Sequence, residues 1–399
     1  MQEWKTYRIG DICKRVCSGG TPKSTEPSYY DGEIPWLNTK EINFNRISST
    51  EKHITQSGLD NSSAKWIDKN SVIVAMYGAT AAKVAINTIP LTTNQACCNL
   101  SIDETKADYR FVYYWLCSHY TELASLANGG AQQNLNAQQI KDFEIKLPEI
   151  QSQQKIADLL WSIDNKIICN KSINDNLEQQ AQALYKSWFV DFDPFKDGAF
   201  KESEFGLIPG GWRVGSLSDL TEITMGQSPS GKSYNETGDG MLFYQGRAEF
   251  GDRYPSIRLY TTEPSRIAEQ NSVLLSVRAP VGDTNIAYNK CCIGRGLASI
   301  TAKHGFNSFI FYMIKSLKDQ FDLYNGEGTV FGSINRDSLN SMKVIVPTNE
   351  VINDFEKIVA PLDFKYKSLF SENLLLMQQR DTLLPKLMSG ELKINDLDC

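Results

Sequence analysis

Two long stretches of the chain carry apolar residues at alternating steps of three and four, the spacing of helices that pack side by side. The stretches cover residues 156–188 and 355–387, and corresponding positions are offset by 199 throughout. At 1.5 Å per residue, each stretch would form a helix of roughly 50 Å. The pattern therefore predicts two long helices, over residues 149–190 and 348–392, each with an apolar seam.

Each seam has a polar residue close to its middle. Asn174 and Asn373 occupy the same seam position in the two stretches. A polar residue in a seam costs stability but fixes the register of two helices when a partner satisfies it. The sequence predicts that the two amides meet at mid-seam; the alternative is that each faces a solvated gap.

The residues that precede each long helix follow a different pattern, of short β-branched runs bounded by turn residues. Strands are predicted for the counterpart runs SVIVAMYG and SVLLSV and for KDFEIKLP and SMKVIVP, and one helix for FVYYWLCSHYTELASLA. Many such counterparts recur in one order, near 200 residues apart, which indicates a tandem duplication. We therefore predict a mixed α/β (α+β) fold with two globules, residues 1–148 and 211–347, each followed by its long helix, and a Pro/Gly-rich linker over 191–210.

The net charge of −6 is unevenly distributed along the 399 residues. Residues 1–148 are neutral overall and residues 207–347 carry a net charge of +1, whereas residues 149–206 carry −4 and residues 348–399 carry −3. The acidic excess thus belongs to the predicted helices and linkers. The globules are electrostatically free to approach a phosphate backbone, so the charge permits DNA binding without requiring it.

Cysteine and histidine usage gives no metal site. The nine cysteines form no CxxC pair and the three histidines are far apart, whereas a zinc site needs clustered ligands. Reduced, mostly buried thiols are predicted instead. No apolar run approaches 18 residues and the N-terminus lacks a signal sequence, so we expect no membrane association and a cytoplasmic location.

The string GQSPSGKS at residues 226–233 satisfies the phosphate-loop pattern, with Lys232 and Ser233 as the phosphate and Mg²⁺ contacts. Such a loop must open a helix, because the helix N-terminus supplies part of the anion site. Here two glycines follow without a helical period, and the counterpart SGGTPKST fails the pattern. We predict a Gly/Pro turn in each half, which is either purely structural or presents Lys23 and Lys232 to a phosphate.

Other catalytic patterns are absent from the sequence. The nearest match to the Asp/Asn-Pro-Pro-aromatic motif of DNA methyltransferases is Asp193, Pro194 and Phe195, which lacks the second proline and lies in the linker. There is no GxSxG elbow, and three scattered histidines give little material for a Ser-His-Asp triad. The sequence therefore gives only weak support to these catalytic functions.

The whole chain resembles the specificity subunit of type I restriction–modification systems. The similar segments of the first half include SGGTPKSTEPSYYDGEIPWLNTKEI, LTTNQACCNL and LPEIQSQQKIADLLWSIDNKI. Those of the linker and second half include WFVDFDPFKDGAFKESEFGLIPGGW, IGRGLASI, GTVFGSINRDSL and LLPKLMSGEL. None of these segments is a catalytic signature.

The resemblance implies that each globule is a target recognition domain for one half of a bipartite site in double-stranded DNA. It implies that the two long helices pack as an antiparallel coiled coil with pseudo-two-fold symmetry and act as a spacer. It also implies two methyltransferase subunits and further restriction–translocase subunits as partners, which this chain would direct to methylate adenines or to restrict the DNA. ATP, Mg²⁺ and S-adenosylmethionine would then bind to these partners, and no cofactor to this chain.

Loop residues able to contact DNA are candidates for base reading, because Arg and Lys pair with guanine and Asn and Gln with adenine. In the first half these are Lys23, Thr39, Lys40, Tyr77, Thr80, Gln132, Gln133 and Asn134. In the second half they are Lys232, Gln245, Arg247, Arg278 and Thr329. Asn94 and Gln95, with their counterparts Gly294 and Arg295, could equally cap or turn the chain.

Two alternative functions remain open at the level of sequence. One is a coiled-coil scaffold whose globules bind proteins, and the other is an orphan protein that blocks DNA sites without partners. The DNA sequence that is recognised, and the gap between its halves, cannot be read from the chain.

Overall fold

The protein is described here by a computed structural model that covers residues 4–127, 134–325 and 332–394. The chain divides into two compact units: the first contains the residues up to Cys169 and those from Glu372 onward, and the second is Asn170–Ser371. Both boundaries fall inside long helices. Each unit therefore contains one globule and one half of each long helix.

The first globule is built on two sheets and a two-stranded ribbon. Its strands are β1 (Lys5–Arg8), β2 (Cys13–Ser18), β3 (Tyr30–Leu37), β4 (Asn45–Ile47), β5 (Lys52–Ile54), β6 (Trp66–Ile67), β7 (Val72–Ala75), β8 (Val84–Asn87), β9 (Leu91–Thr93), β10 (Cys97–Ile102) and β11 (Glu144–Leu147). One sheet has the order β2-β10-β7-β8-β4, the other has the order β5-β3-β9-β6, and β1 pairs with β11. The β1–β11 ribbon brings the start and the end of the globule together.

Helices pack against the sheets of the first globule. They are α1 (Gln56–Asp60), α2 (Tyr109–Ser118), α3 (Tyr120–Ser125), α4 (Ala137–Asp142) and the long helix α5 (Ile150–Phe189). Asp108 caps α2 by accepting from the amides of Arg110 and Phe111. The core joins α2 and the inner face of the sheet to α5 through apolar side chains such as Phe111, Leu100 and Leu160.

The second globule repeats this plan after a hairpin in the linker. Its strands are β12 (Phe200–Ser203) and β13 (Gly206–Pro209) of the hairpin, then β14 (Arg213–Ser216), β15 (Thr221–Met225), β16 (Tyr234–Asn235), β17 (Met241–Tyr244), β18 (Leu259–Thr261), β19 (Ile267–Ala268), β20 (Val273–Ser276), β21 (Thr284–Ile286), β22 (Cys291–Ile293), β23 (Leu297–Ala302) and β24 (Lys343–Val346). The helices are α6 (Leu217–Leu220), α7 (Asn307–Ser316), α8 (Lys318–Asp322), α9 (Arg336–Ser341) and the long helix α10 (Asn349–Ser389). The sheet orders are β15-β23-β20-β21 and β16-β18-β17-β22-β19, and β14 pairs with β24 as β1 does with β11.

Within each unit the two long helices run in opposite directions. In the first unit, Lys166 lies 3.5 Å from Glu372, and Asp164, earlier on α5, pairs with Arg380, later on α10. In the second unit, the Phe189 ring near the end of α5 packs 5.0 Å from the Phe355 ring near the start of α10. The predicted fold class, with tandem mixed α/β domains and long antiparallel helices, is confirmed.

One local prediction is wrong. The run FVYYWLCSHYTELASLA was expected to form a single helix, but α2 and α3 are separated at His119, whose backbone lies at φ −102° and ψ 23°. The His119 ring stacks on the Trp115 ring at 4.0 Å, and its Nδ1 lies 2.9 Å from the Trp115 carbonyl. This side-chain packing and hydrogen bond, which the apolar pattern does not reveal, stabilise the break.

Candidate nucleic-acid interface

Several strands of the first unit end or begin at one edge of the globule. Ser18 at the end of β2 lies opposite Cys98 of β10, and Ala75 at the end of β7 lies opposite Cys97. The loops that leave β2 and β7 therefore lie on either side of the loop that enters β10.

Backbone hydrogen bonds hold two further segments at the same edge. The Gly20 amide donates to the Thr93 carbonyl over 2.9 Å, and the Asn94 amide donates to the Leu37 carbonyl over 3.0 Å. Leu37 ends β3, so the loop after β3 lies beside the loop before β10. We call this surface the first loop edge; its loops are residues 19–25, 38–41, 77–80 and 94–96.

The second unit gathers the corresponding loops in the same way. The Gly226 amide, directly after β15, donates to the Leu297 carbonyl over 2.9 Å, and the Gly294 amide donates to the Tyr244 carbonyl over 2.8 Å. The Val277 amide, directly after β20, donates to the Gly296 carbonyl over 3.0 Å. This second loop edge consists of residues 226–233, 245–249, 278–283 and 294–296.

The glycine that opens the first loop of each edge is required by close backbone packing. A Cβ atom on Gly19 would lie 2.1 Å from the Thr93 carbonyl oxygen, and one on Gly226 would lie 2.1 Å from the Gly294 carbonyl oxygen. Only glycine allows these approaches. The Gly/Pro turns thus have a structural role, and they leave the Lys23 and Lys232 side chains exposed.

The segment that matches the phosphate-loop pattern does not lead into a helix. Gly231–Ser233 form a single 3₁₀ turn and the strand β16 follows at once. The Ser233 hydroxyl lies 2.7 Å from both the Ser230 carbonyl and the Thr261 hydroxyl, so this buried side chain is already engaged. The geometry that a phosphate loop needs is therefore missing from this segment.

The first loop edge brings together most of the predicted residues of its unit. Lys23, Lys40 and Tyr77 are exposed there, and Thr39 and Thr80 are half-buried. Asn134 is exposed as well, and its backbone forms a β-bridge with Tyr77. The predicted residues Gln132 and Gln133 lie outside the described residues.

Lys40 is already compensated by an acidic neighbour. Its ammonium group donates to the Glu51 carboxylate, and this hydrogen bond raises the pKa of Lys40 above its ordinary value. An exposed pair of this kind is weak and exchanges readily with other anions. Lys40 therefore suits a phosphate contact better than a fixed base contact.

The second loop edge carries the predicted residues Lys232, Gln245, Arg247 and Arg278, all exposed. Arg247 pairs with Asp283 of the neighbouring loop. Arg278 has the place that Tyr77 has in the first unit, since its backbone forms a β-bridge with Ser333. The predicted residue Thr329 lies outside the described residues.

The ambiguous positions before β10 and β23 separate into two roles. Asn94 is buried and its Oδ1 accepts from the Ala96 amide over 3.1 Å, so it shapes the turn. Gln95 is exposed and hydrogen bonds to Thr21, and Arg295 is exposed at the corresponding place. Gln95 and Arg295 follow a strand at equivalent positions of the repeat. That equivalence is the sequence signal that could have placed them among the candidates for base reading.

The two seam asparagines are buried. The Asn373 Nδ2 donates to the Ile167 carbonyl over 3.3 Å, and the Asn174 Oδ1 accepts no hydrogen bond from the described residues. Asn174 belongs to the second unit and Asn373 to the first. Their mutual pairing therefore stays a prediction.

The described residues provide no metal cluster of three or more His, Cys, Asp or Glu side chains. Among the helices that the structure describes, none has a stretch that is long and apolar enough to cross a membrane. The burial of Cys13 and Cys98 raises the pKa of each thiol to about 12, which keeps them protonated. These thiols therefore behave as core side chains.

Two duplicated domains, each with polar loops at one edge and each packed on long antiparallel helices, define a tandem recognition protein. The sequence matches the family described as type I restriction modification DNA specificity domain, over residues 1–179 and 209–363. The chain belongs to this family. The match occurs once in each half of the chain.

Named relatives agree with this assignment. The chain is 36% identical over 268 residues to the putative type I restriction enzyme MjaX specificity subunit of Methanocaldococcus jannaschii. That match covers 66% of this chain and 62% of the relative, which is less than two thirds of its length. The type I restriction enzyme MjaIX specificity subunit of the same organism is 27% identical, with 99% of this chain and 95% of the relative covered.

A solved structure shows the same fold. The crystal structure of the type I restriction–modification system S subunit from M. genitalium matches with a TM-score of 0.63, over 96% of each chain. The sequence identity is 18%, so the likeness concerns the fold alone.

Proposed function

We propose that each loop edge reads one half of a bipartite site in double-stranded DNA. The observation that carries this proposal is the recurrence of the same four loops, at the same strand ends, in both units. Equivalent positions on this shared frame hold different side chains: Tyr77 corresponds to Arg278, and Gln95 to Arg295. A constant frame with divergent side chains is what a protein needs to read two different half-sites.

The side chains suit major-groove chemistry. A guanidinium group pairs with the O6 and N7 acceptors of guanine, as Arg278 and Arg295 would, whereas an amide pairs with adenine, as Gln95 and Gln245 would. Lys23 and Lys232 stand on exposed turns and suit phosphate contacts, which position a protein without reading sequence. Lys40, whose exposed pair with Glu51 is weak, also suits a phosphate contact. The other candidates could contact either a base or a phosphate: Thr39, Thr80, Gln132, Gln133, Asn134, Arg247 and Thr329.

We further propose that the chain works in the cytoplasm with two methyltransferase subunits, and with restriction–translocase subunits for cleavage. S-adenosylmethionine, ATP and Mg²⁺ would then bind to those partners. The chain itself would supply the address at which adenines are methylated or the DNA is restricted. This division of labour is supported by the family membership and by the engaged hydroxyl of Ser233 in the only phosphate-loop pattern of the sequence.

The proposal is tested by expressing the chain with an adenine methyltransferase subunit of its own system in a methylation-free bacterial host. Single-molecule sequencing of modified adenines should then reveal one motif of two short specified sequences separated by an unspecified gap. If the host shows no methylated motif and the purified complex shows no sequence preference for DNA, a protein scaffold is favoured instead. If the chain alone binds DNA as tightly and as specifically as the complex does, an orphan blocking protein is favoured.

A further inference from the structure

A mostly buried carboxylate on the long helix α5 faces the first globule. The Tyr114 hydroxyl of α2 donates to the Asp164 Oδ2 over 2.5 Å, and the Arg380 Nη1 of α10 donates to the Asp164 Oδ1 over 3.0 Å. Arg46, on the globule, has its Nη2 3.9 Å from the same Oδ2. Burial and the neighbouring Asp164 raise the pKa of Tyr114, so the tyrosine remains a hydrogen-bond donor.

Arg46 also contacts the neighbouring turn of the same helix. Its guanidinium carbon lies 3.2 Å from the centroid of the Trp161 ring. Its Nη1 donates to the Asn165 Oδ1 over 2.5 Å and its Nη2 donates to the Trp161 carbonyl over 3.3 Å. A planar guanidinium held on its face and at both nitrogens fixes an angle as well as a distance.

The second unit has a corresponding cluster on α10. The Tyr312 hydroxyl of α7 donates to the Asp363 Oδ1 over 2.9 Å, and the Arg253 Nη2 donates to the same oxygen over 2.6 Å. The Arg253 side chain is only 2% exposed, and its guanidinium carbon lies 4.6 Å from the ring centroids of both Phe311 and Tyr366. A buried arginine needs such a partner, because an isolated buried charge is strongly unfavourable.

The clusters are equivalent although the sequence does not align them fully. We call them the first anchor (Tyr114, Asp164 and Arg46) and the second anchor (Tyr312, Asp363 and Arg253). The carboxylates are offset by 199 residues and the tyrosines by 198, but the arginines by 207. The arginines nevertheless have the same place in the fold: Arg46 lies opposite Ile86 in the sheet, and the Arg253 carbonyl accepts from the Ile286 amide.

Apolar packing also joins each globule to its helices, but it is not directional, so it tolerates sliding and tilting. Hydrogen bonds to a carboxylate are directional and lose strength when their angles change. Neighbouring base pairs are spaced by roughly 3.4 Å, and a step of one pair also turns the groove by about a tenth of a helical turn. A small tilt of a globule on its helix is therefore enough to change which gap between half-sites fits.

We propose that the two anchors are positioning sites that make the protein selective for the length of the gap between the half-sites. This inference rests on the proposed reading of a bipartite site. It assigns Tyr114, Asp164 and Arg46, with their counterparts, a role in spacing that is separate from base contact. None of the six residues lies on a loop edge.

The test uses the full complex with its methyltransferase subunits and Tyr114→Phe, which removes one hydroxyl group. Tyr312→Phe is the matched variant of the second unit. The control is Tyr113→Phe on the same helix, because the Tyr113 hydroxyl hydrogen bonds to Cys117 and not to Asp164. Binding is measured on duplexes with the cognate gap, with one base pair added or removed, and with only one half-site. Arg46→Lys, which keeps the charge but loses the planar contacts, serves as a second variant, and melting temperatures are recorded for all of them.

We expect Tyr114→Phe and Tyr312→Phe to lower the preference for the cognate gap roughly fivefold, since a hydrogen bond to a charged group is worth at least that factor. Binding to a single half-site should stay within about twofold of wild type, and Tyr113→Phe should change neither quantity. The inference is overturned if both anchor variants and Arg46→Lys keep the wild-type preference for the gap. Equal losses on the single half-site and the full site would also overturn it. A wild-type complex that does not distinguish a cognate half-site from a scrambled one would overturn the proposed function itself.

Discussion

At the scale of single residues, Arg278 is the side chain on which base reading can be tested most sharply. It is exposed on the second loop edge, and its backbone is fixed by a β-bridge. Replacing Arg278 by Ala should weaken specific DNA binding by about 1–3 kcal/mol and relax the sequence requirement at one position of one half-site. Arg213→Ala, which removes an exposed arginine from the β14–β24 ribbon, is the control and should leave the motif unchanged. An intact motif with Arg278→Ala would remove this residue from the reading set.

Lys232 should behave differently, because its turn suits a phosphate contact. We expect Lys232→Ala to weaken binding to all DNA sequences alike and to reduce the slope of log affinity against log salt by about one.

ATP should not raise the melting temperature of the purified chain, since the segment after Ser233 is a strand. A micromolar affinity for ATP that Lys232→Ala abolishes would contradict this reading.

Glu356 gives a prediction about pH. Its burial raises the pKa of the carboxyl above the ordinary 4.5, although the Phe309 amide donates to it over 2.8 Å. The folded protein therefore holds this proton more tightly than the unfolded chain does. This difference favours folding below pH 4.5, and the benefit is lost once the pH exceeds the pKa of Glu356 in the folded protein. Glu356→Gln keeps the acceptor without the charge, as Gln153 does for the Asp108 amide in the first unit.

We accordingly expect Glu356→Gln to raise the melting temperature at pH 7, by an amount that shrinks as the pH falls toward 4.5. The measurement is thermal unfolding across this pH range, with the exposed Glu236→Gln as the charge control. A destabilised Glu356→Gln protein at pH 7 would show that the charge itself supports the fold.

At the scale of elements, the seam asparagines test how the long helices find their register. If Asn174 and Asn373 hydrogen bond to one another, replacing Asn174 alone by Leu should cost roughly 1–3 kcal/mol, because Asn373 loses that partner at a buried position. Replacing both by Leu should recover that loss but loosen the register. A double-mutant cycle on the free energy of unfolding measures the coupling, and additive effects would show that each amide acts alone.

The elements also show what could be predicted from the sequence. Some signals in the sequence are local or periodic: the seams, the duplication and the strands that end at a proline. These signals were enough to predict the fold class and most of the exposed candidate residues. The offset of 207 residues between Arg46 and Arg253 hides their equivalence. It changes to about 200 only after them, because the segment between β5 and β6 is longer than the segment between β18 and β19. The parallel pairing of β3 with β9, which brings the Thr39 loop to the first loop edge, is a long-range contact without a sequence signal.

At the scale of the whole molecule, the two units would read DNA with the same fold but with independent side chains. The loops of the first loop edge belong to residues 1–148 and those of the second to residues 211–347, so the two half-sites should be exchangeable separately. The helices carry the equivalent seams that such an exchange must preserve. The recognition of DNA would then be modular, with one globule for each half of the motif.

The most direct measurement is therefore a domain exchange. Residues 1–148 are replaced by the corresponding domain of another specificity subunit, the chimera is expressed with the methyltransferase subunit, and methylated adenines are mapped by single-molecule sequencing. We expect a new sequence in one half of the methylated motif, with the other half unchanged. A motif that changes in both halves, or in neither, would contradict the central claim that each unit reads one half of the site.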